Sequence, residues 1–168
     1  MHHPDSDPPS SPATIVVGQP HPVASSIHTI LLATDLSPAS ADAEDLAIEL
    51  AARLGGALLL VSVIDPQTLW LATGGYRERV DQVRDARQTA AERVVDRGRR
   101  GGVAIRTLIW EGDPGEAIVE AAVAENVNLV VVGSHRRRGV DRLVMGSVSE
   151  QVVRTCPVPV VVARRPPS

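Results

Sequence analysis

The residues best suited to chemistry lie in the stretch GSHRRRGVDRLVMGS, which runs from Gly133 to Ser147 directly behind the apolar run NLVVV. Two Gly-Ser pairs, Gly133-Ser134 and Gly146-Ser147, bracket Arg136, Arg137 and Arg138. Glycine and serine at a strand end let the backbone close around an anion. A helix opening at Gly146-Ser147 would add unpaired N–H groups and the positive end of its dipole. This is phosphate-binding chemistry. The arginines can grip the same anion or form a solvated face, and as a charge run Arg137 and Arg138 read as solvated. A second candidate is Asp35, in the TDLS that follows the first apolar run. At a strand end its carboxylate can accept hydrogen bonds from ribose hydroxyls or an adenine amine. The local alternative is that it bonds to amides at the start of the following helix.

Other chemistries find little support. No lysine follows a glycine-rich loop in the phosphate-loop pattern, and neither a Gly-x-Ser-x-Gly elbow nor paired Cys/His metal spacing occurs. Asp35 and His135 do not make a nucleophile–base pair, and His135 reads as a loop residue. Strong catalysis is not expected; at most slow hydrolysis of a bound nucleotide is. The single cysteine, Cys156, excludes an internal disulfide framework, fits a reducing compartment and reads as a small buried apolar residue. A net charge of −3 argues against a general nucleic-acid binder. The N-terminal MHHPDSDPPSSP lacks the basic start and apolar core of a signal peptide, and the apolar runs are too short to span a bilayer. A cytoplasmic protein is expected.

These residues need a frame. With 168 residues the chain suffices for one domain, and its 43% hydrophobic, 2% aromatic composition without Phe requires an aliphatic core. Residues 1–26 are rich in Pro, Ser and His and read as a flexible extension, with 27–165 as the domain and 166–168 as a tail. The domain alternates. Residues 28–33 form a continuous apolar strand; Ser37-Pro38 opens a helix as N-cap and first helical residue, with Leu46, Ala47, Leu50 and Leu54 on its apolar face. Gly55-Gly56 end it, and 57–63 form the second strand. A charged helix over 76–99 carries an intermittent stripe of Val80, Val83, Ala90, Val94 and Val95. Residues 103–110 form the third strand, Asp113 to Glu116 a capping box for the helix 114–125, and NLVVVGS the fourth strand. The segment from Gly146 to Thr155 forms the last helix, and VPVVVA (158–163) the fifth strand. The order β-α-β-α-β-α-β-α-β implies a doubly wound α/β sandwich with parallel strands, right-handed crossovers and helices on both faces. Ligands of such sheets bind beyond the carboxyl ends of the strands, where the winding reverses.

With TDLS, SVID, EGDPGEAIVEAA, VVVGSH and GSVSEQVVRTCPVPVVVA in place, residues 28–164 resemble a universal stress protein domain. The resemblance implies a Rossmann-like five-stranded sheet in the order 3-2-1-4-5, usually in a homodimer. Many members bind ATP and another branch does not. The nucleotide-binding branch carries Gly-x2-Gly-x9-Gly-(Ser/Thr). Gly133 matches its first glycine and Gly146-Ser147 its closing pair, while Arg136 stands where the second glycine belongs. By the same carry-over Asp35 would touch adenosine, Val63 would line the adenine pocket, and Ser147 with the amides near Gly146 and Val148 would hold phosphates, with Mg²⁺ accompanying ATP. Arg136 cuts both ways. If its position needs positive φ, a side chain costs on the order of 1 kcal/mol; a guanidinium–phosphate bond returns about 1.5–3 kcal/mol.

The primary expectation is therefore a stress-response protein that binds ATP and regulates a protein partner. Its alternatives are a dimeric interaction protein whose altered loop no longer takes nucleotide, and, without an evident catalytic group, an enzyme acting on a small phosphorylated metabolite. The fifth strand, Val158 to Ala163, is apolar and lies at a sheet edge, where pairing across a two-fold axis is expected; the plainer reading is that Pro159 blunts the edge.

Overall fold

The computed structural model describes residues 27–69, 75–134 and 146–163. His135, Arg136, Arg137 and Arg138, the N-terminal extension and the C-terminal tail lie outside them. The elements are β1 (Thr29–Ala33), a 3-10 turn (Pro38–Ser40), α1 (Ala41–Leu54), β2 (Ala57–Ile64), α2 (Pro66–Leu69), α3 (Tyr76–Arg100), β3 (Ile105–Glu111), α4 (Pro114–Ala124), β4 (Leu129–Gly133), α5 (Ser147–Thr155) and β5 (Val160–Ala163). All strand pairs are parallel, in the order β3-β2-β1-β4-β5. β1 is central, with Leu31 opposite Leu59 on one side and Val130 on the other.

The pleat divides the apolar strand residues between two cores. Leu31, Leu59, Val61 and Val130 face α4 and α5, meeting Ile118, Ala121 and Val152. Ile30, Leu32, Leu58 and Leu60 face α1 and α3, meeting Ala47, Ala51, Ala91 and Val94. This is why the strands read as unbroken apolar runs.

Four expectations need correction. Ser37 makes no side-chain cap; a 3-10 turn follows it and α1 begins at Ala41. The buried face of α1 consists of Ala43, Glu44, Ala47 and Ala51, whereas Leu54 is 46% exposed. The sheet opposite presents large side chains, so the most deeply buried apolar residues of α1 are alanines, while Leu46 and Leu50 pack partly buried against the same core. The third strand begins at Ile105; Val103 is buried but donates its N–H to the Gly98 carbonyl. The fifth strand is shorter than 158–163: Val158 and Pro159 precede it, the Pro159 carbonyl accepting from Val130 N–H.

Other local signals act as their chemistry requires. Gly55 closes α1 at φ 66°, the left-handed conformation that glycine adopts most cheaply. Asp113 caps α4 by accepting from the Glu116 N–H at 2.9 Å. At Gly115 a Cβ would lie 2.3 Å from the terminal amide of Gln151, so α4 and α5 are in close contact there, though that flexible side chain could swing aside. No described helix is long and apolar enough to cross a membrane.

Candidate functional site

The winding reverses between β1 and β4, and the carboxyl ends of β1, β2 and β4 open onto a cavity of about 280 Å³. Asp35, Val63, Gly133 and Val148 all line it, so four of the seven residues singled out from the sequence converge. Gly146 and Ser147 adjoin the cavity at the start of α5 without lining it. Arg136 is outside the described residues.

Each wall has a local cause. The N–H of Thr34 continues the ladder to the Val61 carbonyl at 3.0 Å. The Thr34 hydroxyl then donates to Glu44 at 3.1 Å and accepts from the Leu36 N–H at 2.9 Å. Leu36 takes the left-handed backbone, φ 61°, at a cost of about 1 kcal/mol for a residue with a Cβ. Asp35 accepts from the Ser37 N–H at 3.0 Å and from the Ser40 hydroxyl at 2.6 Å through a single oxygen, Oδ1. Asp35 thus makes the bonds of the local alternative and also lines the cavity.

On the β4 side, the Ser149 hydroxyl donates to the Gly133 carbonyl at 2.7 Å, and the Ser134 N–H donates to the Ala163 carbonyl at 3.0 Å. A Cβ at Gly133 would meet Ala43 at an ordinary 3.6 Å, so the fold does not require glycine there. Gly146 is the N-cap of α5 and provides no side-chain cap. The first-turn amides of any helix lack intrahelical acceptors, and here they adjoin the cavity through Val148 and Ser149.

Sequence reasoning missed one wall residue of consequence. Arg87, on α3, donates through Nη1 to the Ser62 hydroxyl at 2.9 Å and to the Val63 carbonyl at 2.5 Å. Burial pushes its guanidinium below the ordinary value, while attraction to the Asp35 carboxylate acts in the opposite direction. A signal was present: the apolar stripe Val80, Val83, Ala90, Val94 skips the one position, 87, that helical spacing demands. A charge on a buried stripe needs a partner, and the strand end supplies one.

The cavity is mostly apolar in the middle, through Ala33, Val61, Val63, Ile118 and Val132, with Asp35, Asp65 and Arg87 among its polar groups. That combination suits a flat, weakly polar ring with a hydroxylated neighbour. A larger cavity, about 500 Å³, lies between the loop after β1, the start of α1 and the second half of α3. The described residues contain no group of three or more His, Cys, Asp or Glu placed to hold a metal.

Fold and cavity together define an open, doubly wound α/β domain with a ligand-sized crevice at its switch point. Comparison with known proteins makes this specific. The chain belongs to the universal stress protein family, whose model matches residues 26–164. Universal stress protein MJ0531 of Methanocaldococcus jannaschii is 30% identical over 139 residues, 82% of each chain. Among solved structures, that of protein MJ0577 superposes with a TM-score of 0.74 at 25% identity, covering 84% of this chain and 99% of the other. A universal stress protein in complex with cAMP shares the fold with a TM-score of 0.62 at 24% identity, over 83% of this chain and 98% of its own.

Proposed function

We propose that the chain binds an adenine nucleotide, ATP with Mg²⁺, and acts as a nucleotide-dependent regulator or interaction module in a stress response. The carrying observation is the convergence of Asp35, Val63, Gly133 and Val148 on one crevice at the switch point. The cavity's size suits a nucleoside, with Asp35 as acceptor for ribose hydroxyls or the base amine. Phosphates would extend toward Gly146, Ser147 and the amide of Val148, where the α5 dipole favours negative charge. The family relative that holds cAMP adds chemical support. Mg²⁺ would be held through the phosphates.

Calorimetric titration with ATP-Mg tests this. Saturable binding is expected, weakened about 10- to 100-fold by Asp35→Ala, in line with loss of one charged hydrogen bond. No heat at millimolar ATP would remove the proposal. The sequence position of Arg136 supports a second reading, a family member that does not bind nucleotide. If only the Arg136→Gly variant binds ATP, that reading replaces the first.

The partner reading is a homodimer whose two sheets meet at β5. In support, β5 pairs only with β4 among the described strands and so leaves its other edge open, and Val160, Val161 and Val162 are half-buried. Light scattering is expected to give twice the chain mass at micromolar concentration; a monomer there excludes it.

A further inference from the structure

Arg87 occupies a costly position. Its guanidinium is partly withdrawn from water, and the two acceptors of its Nη1, the fully buried Ser62 hydroxyl and the Val63 carbonyl, are neutral. A guanidinium is planar and carries further N–H groups beside the pair used by Nη1. Arg87, Val63 and Asp35 line the same cavity, so the end of β2 faces a ligand with a fork of donors around an acceptor already engaged.

Purine bases differ at this kind of wall. Adenine's major-groove edge offers a donor amine beside an acceptor nitrogen, so it gains from a free carbonyl. Guanine and hypoxanthine offer two adjacent acceptors, O6 and N7, the pattern that a guanidinium matches bidentately. We infer that Arg87 is a specificity-determining residue that makes the cavity a site for 6-oxopurine nucleotides as well as adenine nucleotides. This rests on the nucleotide reading of the cavity given above. Lysine in the same place would keep the charge but lose the planar fork.

The test is titration of the full chain with ATP, GTP and ITP, each with Mg²⁺, on the unaltered protein, Arg87→Met and Arg87→Lys. ITP isolates the 6-oxo group, because it lacks guanine's 2-amine. GTP and ITP are expected to bind the unaltered protein within about threefold of ATP or more tightly, and Arg87→Met is expected to weaken both about tenfold relative to ATP. Should Arg87→Met fail to melt cooperatively, Arg87→Lys carries the test, with GTP and ITP weakened about threefold or more relative to ATP. Binding of ATP to the unaltered protein with GTP and ITP more than about thirtyfold weaker overturns the inference, as does an equal effect of the substitution on all three nucleotides. If ATP, GTP and ITP all fail to bind a folded protein, the nucleotide reading fails and takes this inference with it. A selectivity failure with ATP still bound leaves that reading standing.

Discussion

Replacing Arg97 by Met should lower the melting temperature by about 5–10 °C, the equivalent of about 2–3 kcal/mol in a domain of this size. The cause is Glu44, which sits on the buried face of α1 with its side chain 7% exposed. One carboxylate oxygen accepts from the Thr34 hydroxyl, and the other pairs with Arg97. Arg97 also reaches Asp45 at 3.0 Å and is itself about one-third exposed, 32%, which moderates the cost by solvent screening. Without the guanidinium, Glu44 retains one hydroxyl partner for a largely buried charge. The pair is imperfect, since the Arg97 Nε is buried without a partner among the described residues. The double variant Glu44→Gln with Arg97→Met should therefore regain part of the loss, because it removes the orphaned charge. Thermal melts of the two single variants and the double variant decide the matter. A shift under about 1 °C for Arg97→Met would show that the ion pair contributes nothing net.

The second large effect reverses what hydrophobicity alone suggests. Ala47→Leu should destabilise the domain by about 2–3 kcal/mol, although it adds an apolar side chain to an apolar face. Leu54→Ala, which removes one, should cost no more than about 0.5 kcal/mol. Ala47 is fully buried among the residues that meet Ile30, Leu32, Leu58 and Leu60, whereas Leu54 is 46% exposed. The three heavy atoms added at residue 47 (Cγ, Cδ1 and Cδ2) must push α1 off β1 and β2. Chemical denaturation of both variants measures the contrast, and similar losses for the two would refute it.

The alternation of short apolar runs with longer amphipathic ones was enough to read the sequence as a doubly wound sheet, because strands covered on both faces leave no polar alternation. Strand order was another matter. Spacing leaves it open, and 3-2-1-4-5 came from the family resemblance. The face of α1 was read in part: Ala47 is buried and Leu46 and Leu50 pack against the core, but Leu54 is exposed and Ala43, Glu44 and Ala51 were missed, because periodicity ranks residues by polarity while close packing against a bulky sheet selects by volume. Asp35 and Gly133 were legible because strand ends at a reversal converge whatever their side chains, whereas Val63 and Val148 came from the family resemblance. For Arg87 only the gap in the stripe was legible, since its role depends on a strand end some 24 residues earlier in the chain. The Ser149–Gly133 bond was hidden for a similar reason: it joins positions 16 residues apart across residues whose own signals suggested only a loop.

That bond has a consequence for how such a domain can diversify. Together with the Ser134–Ala163 contact, it bolts down both ends of the segment between β4 and α5 independently of what lies within it. The frame thus already supplies the closure that an inserted segment would otherwise have to provide, and doubling a segment's length costs only about 0.6 kcal/mol in closure entropy. The span between the carboxyl end of β4 and the start of α5 is thus fixed by the frame itself, and the cores on either side of the sheet can go on being selected for packing alone.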